Sequence, residues 1–368
     1  MNFAFDEDQR SLGDTVAAAL RAIPALTAPD LSTDGNASAV QTLSELGLFS
    51  LLVPEQFGGV GLQLVDVALA VEALGAELAP SIVAATLVAT EVLRRDGSIA
   101  LQQEWLPRIA SGEARIGLAV SEVGADYGLE TLTTTSESGK LNGRKILVAG
   151  ADLADAYLVL GTYAGEPACW LVDATSPGLA REPELSLDPT AALSAITFAD
   201  VAAERLNSGA ASRVVNVGAI VTSGLLIGIG ARMLAASVDY ASSREQFGQP
   251  IGAFQAIKHR CADMAVGIEA GRSAAYYAFW AAGEDGESAP RAASMAKAYC
   301  GDVVRFVCNE SIQIHGGMGF TWELGLHRFL RRSKLLEHQF GDAVFHRERV
   351  VETTLQARNA VAQQRDAA

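Results

Sequence analysis

Between Val214 and Ala231 the chain runs eighteen residues without a charged side chain. A helix that apolar is stable only when covered on every side, by lipid or by other helices. The run sits near the minimum length for crossing a bilayer. It also holds Gly218, Gly224, Gly228 and Gly230 with Asn216, Thr222 and Ser223, and Arg232 and Asp239 continue the same helical pattern. Small residues let neighbouring helices approach closely, so the segment predicts a helix at the centre of a bundle rather than a membrane span.

The rest of the chain supplies the cover. Helical spacing of apolar residues runs from Asp6 to Ile23, stopped by Pro24, then over Gln41 to Leu48, Leu64 to Leu78 and Ala84 to Arg94. From about Arg115 the texture changes. Ile116 to Val120, Tyr157 to Leu160, Ala168 to Val172 and Ser194 to Phe198 read as short strands, the middle two joined by Ala164-Gly-Glu-Pro167. Within Lys140 to Val148 an Asn142-Gly143 pair predicts a hairpin turn. Helical patterns return over Ser212–Ser243, Phe254–Ala282, Ala289–His315, Leu326–Glu337 and Asp342–Ala360. Helices, strands and helices in segregated runs predict three domains: an N-terminal helical domain over 1–114, a central antiparallel β-domain, barrel or sandwich, over 115–207, and a C-terminal helical bundle over 208–368. There is no internal repeat and no GxGxxG, so a Rossmann nucleotide fold has no support.

Composition narrows the partners. The net charge of -15 disfavours nucleic acid and anionic membranes, both of which reward basic patches. An anionic cofactor held by local arginines remains compatible with it. Cys169, Cys261, Cys300 and Cys308 show no CxxC spacing, which argues against a metal site and for free thiols in a reducing, cytoplasmic setting. The N-terminus has no basic region followed by an apolar run, so no signal peptide is expected.

Two stretches carry chemistry. One is Ser311-Ile-Gln-Ile-His-Gly-Gly-Met-Gly-Phe-Thr-Trp-Glu323, where a helical pattern stops at Gly316-Gly317 with Gln313 and His315 on its last turn. Glycines there permit positive φ and close approach of a ligand to the main chain. The other is Arg244-Glu-Gln-Phe-Gly-Gln-Pro-Ile-Gly-Ala-Phe-Gln255. Together, and with Glu45-Leu-Gly-Leu-Phe-Ser-Leu-Leu-Val-Pro-Glu-Gln-Phe-Gly-Gly59 near the N-terminus, they resemble the signatures of the acyl-CoA dehydrogenase family, and the resemblance covers nearly the whole chain. It implies a fold of three parts, helical, β and four-helix bundle, that encloses FAD and an acyl-CoA thioester. In that family a carboxylate removes the α-proton while the β-hydrogen leaves as hydride to the flavin. An α-proton of a thioester is too weakly acidic for water, so the base must be desolvated and aligned with the hydride acceptor.

Carried over residue by residue, the resemblance implies that Arg244, Phe247, Gln255, Gln313, Gly316 and Gly317 reach the pyrophosphate and adenosine of FAD in a neighbouring subunit. An arginine fork suits a pyrophosphate through paired, charged hydrogen bonds. The flavin-ring pocket departs from the family pattern. Where the family reads close to T-E-P-x-x-G-S-D, this chain has Ser121-Glu-Val-Gly-Ala-Asp-Tyr-Gly128. Where the family has W-I-T-N-G, it has Leu147-Val-Ala-Gly-Ala151. Leucine cannot stack as tryptophan does, and Ala149 has no hydroxyl to offer the flavin.

The base is missing too. The family's usual glutamate position falls on Phe340, and the alternative on the first long helix of the bundle falls on Gly218. No catalytic residue is therefore assigned. The pattern is similar to one subunit of a two-gene, heterotetrameric α2β2 acyl-CoA dehydrogenase, in which FAD is shared across the interface and a second family member carries the base and most of the acyl-CoA site. The run from His315 to Glu323, with His327 and Arg331-Arg332, is similar to the branch acting on steroid side-chain thioesters. Two alternatives stay open: a homomeric enzyme with a displaced base, for which Glu122 and Glu337 are the candidates, and a non-enzymatic scaffold of the same fold.

Overall fold

The computed structural model describes residues 5–23, 33–137, 139–283 and 288–366. Pro24, the expected stop of the first helix, lies outside them. Helix α1 (Glu7–Arg21) starts at Asp6, whose carboxylate accepts from the Gln9 amide at 2.8 Å while the Gln9 side chain accepts from the Asp6 amide. This reciprocal cap satisfies two amides that the first turn leaves free. Helix α2 (Asp34–Glu45) begins earlier than Gln41, the expected start. The pattern over Leu64 to Leu78 forms a tight turn, Leu64–Val67, running into α3 (Ala68–Ala76). Helix α4 (Ser81–Asp96) follows, then α5 (Ile99–Ala110), which the periodicity did not predict; Pro107 interrupts its pattern near the end.

The strands form one eight-stranded curved sheet in the order β6-β7-β3-β2-β4-β5-β8, with β1 also on β4. They are β1 (Ile116–Ala119), β2 (Thr135–Glu137), β3 (Lys140–Val148), β4 (Ala156–Tyr163), β5 (Glu166–Asp173), β6 (Leu179–Pro183), β7 (Ser194–Ala202) and β8 (Glu204–Arg205). The pairing is antiparallel as expected, except that β1 and β2 run parallel to β4, which returns past the β2–β3 hairpin instead of pairing with β3. The Ala164-Gly165 turn is real: both residues have positive φ, as a two-residue hairpin requires. The Asn142-Gly143 expectation fails. β3 runs unbroken through that pair, and the chain reverses before Lys140, with Gly139 at φ +77°. Asn142 instead exchanges two hydrogen bonds with Asp200 across β3 and β7, and the register shifts between Leu141 and Gly143, so the pair marks a bulge.

From Ala210 the described chain is helical again apart from a short hairpin, β9 (Glu245–Gln246) and β10 (Gln249–Pro250). Its helices are α6 (Ala210–Ser243), α7 (Gln255–Gly283), α8 (Ala289–His315), α9 (Leu326–His338) and α10 (Ala343–Asp366). The uncharged run lies in α6, whose most apolar stretch is 83% buried inside the protein. α6 packs against α3, α4, α7, α8 and α9, and touches β5. Its glycines do what the sequence suggested. A Cβ at Gly228 would collide with the Glu72 carbonyl of α3, and one at Gly75 of α3 with the Leu225 carbonyl of α6, so the two helices meet backbone to backbone. The cysteines are free, three of them fully buried; burial pushes the thiols of Cys300 and Cys308 up to about 12.

One ion pair joins the three parts. Arg332 of α9, itself buried, pairs with buried Asp188, donates to the Ala79 carbonyl between α3 and α4 at 3.0 Å, and donates to Thr190 Oγ1 at 2.9 Å. Burial alone would raise the Asp188 carboxyl; the Arg332 charge and the Thr190 donors outweigh it and hold it below the usual range. Arg332→Leu strands a buried carboxylate, so the expected loss of stability is about 3–5 kcal/mol, measured by urea unfolding. Because the folded pKa is depressed, the wild-type contribution is complete above the ordinary aspartate value and disappears as pH falls through the lowered one. Acid unfolding should therefore narrow the gap between wild type and variant.

Candidate functional site

A cleft of about 850 Å³, its open mouth included, lies where the sheet meets α3, α4, α6 and α9. Ile146, Leu147 and Ala149 of β3 and its end form one wall; Gly218, Val221 and Leu225 of α6 form another. A second cleft adjoins it under the 121–132 loop, and Leu147, Gln339 and Phe340 line both. Phe340 and Leu147 thus border both clefts.

The two positions read as alternative sites for a base come together here. Gly218 lies in the middle of α6, and an ideal Cβ on it would be 2.5 Å from the Phe340 ring. Only a glycine leaves room for the ring. Neither position carries a carboxylate, and each fills the space of the other. Phe340 has φ +59° and Gly341 φ +108°, so the turn after α9 is one that a bulky residue adopts under strain. It is held by two side chains that the sequence reading missed. Lys297 Nζ, buried in α8, donates to the Glu337 and Gly341 carbonyls, each at 2.8 Å. His346 Nε2, fully buried in α10, lies 2.9 Å from the Phe340 carbonyl, with Nδ1 3.2 Å from Ser294 Oγ. That pairing assigns the ring proton to Nε2. Burial brings the Lys297 amine down to about 7, and burial together with the Lys297 and Arg349 charges brings His346 down to about 3. The one available hint was a lysine among small and apolar residues in Ala292–Cys300.

The displaced-base candidates are both occupied. Glu122 accepts from Lys145 Nζ at 2.5 Å, from the Thr133 amide and hydroxyl at 2.6 Å each, and from the Thr134 amide at 3.0 Å. Burial would raise its carboxyl, but these donors bring it down to about 2, so it is a poor proton acceptor. Glu337 pairs with Arg305 at 2.5 Å and with Lys334 at 3.1 Å. The Glu122–Lys145 pair ties the loop after β1 to β3 and leaves no free polar group facing the Leu147 wall from that carboxylate.

The six residues expected to reach a cofactor lie at the far end of α6. Tyr240 stacks on buried His315 with centroids 4.4 Å apart, and Ser237 Oγ donates to Ser311 Oγ at 2.8 Å, pinning the C-terminal ends of α6 and α8 together. The Ile251 amide donates to the Arg244 carbonyl at 2.8 Å, which folds the β9–β10 hairpin back and sets Gln255 at the start of α7 beside them. Arg244, Phe247, Gln255, Gln313, Gly316 and Gly317 are all exposed. Phe247 is 92% exposed on a positive-φ turn. Gly316 has φ +58°, and nothing lies within 4 Å of where a Cβ would sit on Gly316 or Gly317. Among the described residues the Arg244 guanidinium makes no ion pair. Phe320 and Trp322, 76% and 55% exposed, extend the same segment. Together these residues form an open cradle of exposed side chains and unobstructed main chain. The first cleft carries Leu147, Ala149 and Phe340 on its lining.

Comparison with known proteins fits this layout. Residues 6–113 match the family model for the acyl-CoA dehydrogenase N-terminal domain, and residues 208–355 that for the acyl-CoA dehydrogenase C-terminal domain. The chain is similar to acyl-CoA dehydrogenase IpdE2 of Mycobacterium tuberculosis, 30% identical over 332 residues, covering 89% of this chain and 91% of that one. It is similar to acyl-CoA dehydrogenase FadE34 of the same organism, 34% identical over 306 residues, covering 82% of this chain but 40% of that one. Among solved structures it is similar to the Tcur3481–Tcur3483 steroid ACAD, with a TM-score of 0.86 and 25% identity over 96% of this chain and 99% of that one.

Replacing Glu122 by glutamine should cost about 3 kcal/mol at neutral pH, because Lys145 is left buried without its counter-charge. The wild-type advantage is expected to shrink as pH falls from about 4.5 towards 2, since the depressed carboxyl stabilises the fold only while ionised. Thermal melts across that range check both points.

Proposed function

Because the chain belongs to the acyl-CoA dehydrogenase family, an FAD-dependent oxidoreductase family, we propose that it works as one subunit of a hetero-oligomer, lending the adenosine and pyrophosphate arm to a flavin whose ring reacts in a partner subunit. The observation that carries this reading is the separation of its two half-sites. Gly218 and Ser243 lie on one continuous helix, twenty-five residues apart, which at 1.5 Å per residue is roughly 37 Å. A separation of that order supports a dinucleotide shared between two chains, the cradle of one facing the cleft of another. The cleft in turn has a phenylalanine and a glycine packed together at the two base positions.

Bound FAD supplies a hydride acceptor; this chain supplies binding. Arg244 offers its fork to the pyrophosphate, Gly316 and Gly317 open the main chain to it, Gln255 and Gln313 offer amides, and Phe247 offers a ring to the adenosine. The carboxylate that takes the α-proton of the acyl-CoA belongs to the partner, a second family member, in an α2β2 arrangement. Two relatives support a second unit. The Tcur3481–Tcur3483 steroid ACAD is named for two gene products, and FadE34 has more than half its length beyond the match, room for another such unit. The apolar face of Phe247, Phe320 and Trp322 beside the cradle suits a subunit contact.

Co-purification with a second family member that carries the base should give one FAD per two chains, and the lone chain should show negligible acyl-CoA dehydrogenation. Arg244→Ala in the complex should weaken FAD retention about ten-fold or more, the worth of a charge-assisted hydrogen bond. A lone yellow chain with one FAD that converts acyl-CoA to its enoyl form would refute the reading.

A further inference from the structure

The loop between β1 and β2 leaves the sheet and returns to it at one carboxylate. Glu122, paired with Lys145, accepts from the Thr133 and Thr134 amides, which closes residues 123–132 into a compact loop with neighbouring ends. Its two limbs are held unequally. The returning limb is fixed: Leu129–Thr131 makes a tight helical turn, Thr131 Oγ1 donates to the Gly128 carbonyl at 2.8 Å, and Leu132 is buried. On the outgoing limb Val123, Gly124, Asp126 and Tyr127 are exposed. Gly124 has φ +74°, with nothing within 4 Å of where its Cβ would sit. The Ala125 amide reaches the Glu122 carbonyl at 3.5 Å, too long to hold much.

Tyr127 carries that limb across to the C-terminal helices. Its Oη lies 3.2 Å from His338 Nδ1 at the end of α9, and its ring packs on Phe345 of α10 with centroids 5.5 Å apart. These two seats flank the Phe340 turn, which Lys297 and His346 hold in place. A loosely held limb therefore rests on a rigid seat. The second cleft lies on one side of it. On the other lies a groove of about 1450 Å³, its open mouth included, that runs along α10 past Asp342, Glu348 and Glu352. Asp126, Tyr127, Gly128, Leu129 and Val215 of α6 line both spaces.

We propose that residues 123–128 form a strap latched onto the C-terminal helices by Tyr127, and that its release joins the second cleft and the α10 groove into one trough. One hydrogen bond and one ring contact make a weak latch against the entropy of a glycine-bounded segment. The strap then opens locally, without the rest of the fold. The device involves neither flavin nor partner, so it stands or fails apart from the subunit reading.

Amide hydrogen exchange on the full-length chain, read by mass spectrometry, tests the latch. Tyr127→Ala should speed exchange at 123–128 about ten-fold, the scale of one hydrogen bond and one ring pair. Exchange at 131–134 should stay at the wild-type rate, because Glu122 still holds it. Tyr127→Phe keeps the ring without the hydroxyl and should fall between. His338→Ala should match Tyr127→Phe and add nothing on the Tyr127→Ala background. The joining of the two spaces is read at Val215→Cys, whose alkylation by iodoacetamide should also rise about ten-fold with Tyr127→Ala; peptide masses separate it from Cys261. Exchange at 123–128 that ignores Tyr127→Ala, exchange that rises equally at 131–134, or alkylation that does not change overturns the proposal.

Discussion

A helix of thirty-four residues with no charge across its middle is stable in water only if other elements cover it on every side. That requirement organises this molecule. α3 and α4 cover one side of α6, α7 and α8 the other, and β5 touches it. The contacts are close because glycines on α3 and α6 remove the side chains that would hold the backbones apart. Once α6 is buried along its length, it becomes a rigid ruler. The cleft beside Gly218 and the cradle beside Arg244 are fixed at opposite ends of it, and neither can be moved towards the other without breaking the bundle.

Function follows from that spacing. On the proposed reading, a cofactor half-site placed that far from the cleft serves another chain. The cleft has taken the complementary course: an aromatic ring and a glycine occupy the two places from which a carboxylate would act, and the nearby carboxylates are already committed. Glu122 accepts from Lys145 and two threonines, and Glu337 is paired with Arg305 and Lys334. Carboxylates paired in this way hold elements together. The Asp188–Arg332 pair does the same at the junction of the three parts.

Much of the fold was legible because its signals are local. The limits of α8 were read without error from Ala289 to His315, and those of α6 to within two residues, since periodicity and the glycine stop act within a few residues. The Ala164-Gly165 hairpin was legible for the same reason. Asn142-Gly143 misled because a pair that can turn can also bulge, and cross-strand pairing with Asp200 decided between the two. Lys145, Lys297 and His346 gave almost no signal. Their partners are backbone carbonyls and a carboxylate far away in the chain, and a spacing rule cannot register contacts of that kind.

The sequence by itself determined the family, the order of helices and strands, and the phenylalanine and glycine at the two positions read for a base, because each of these is a matter of residue type at a place along the chain. Only the tertiary structure decided that Phe340 lies on Gly218, that Lys297 and His346 hold it there, that Glu122 and Glu337 are spoken for, and that the cradle stands a helix-length away from the cleft. Those are distances between residues remote in sequence. They are settled by how a wholly apolar helix must be packed, which no single segment contains.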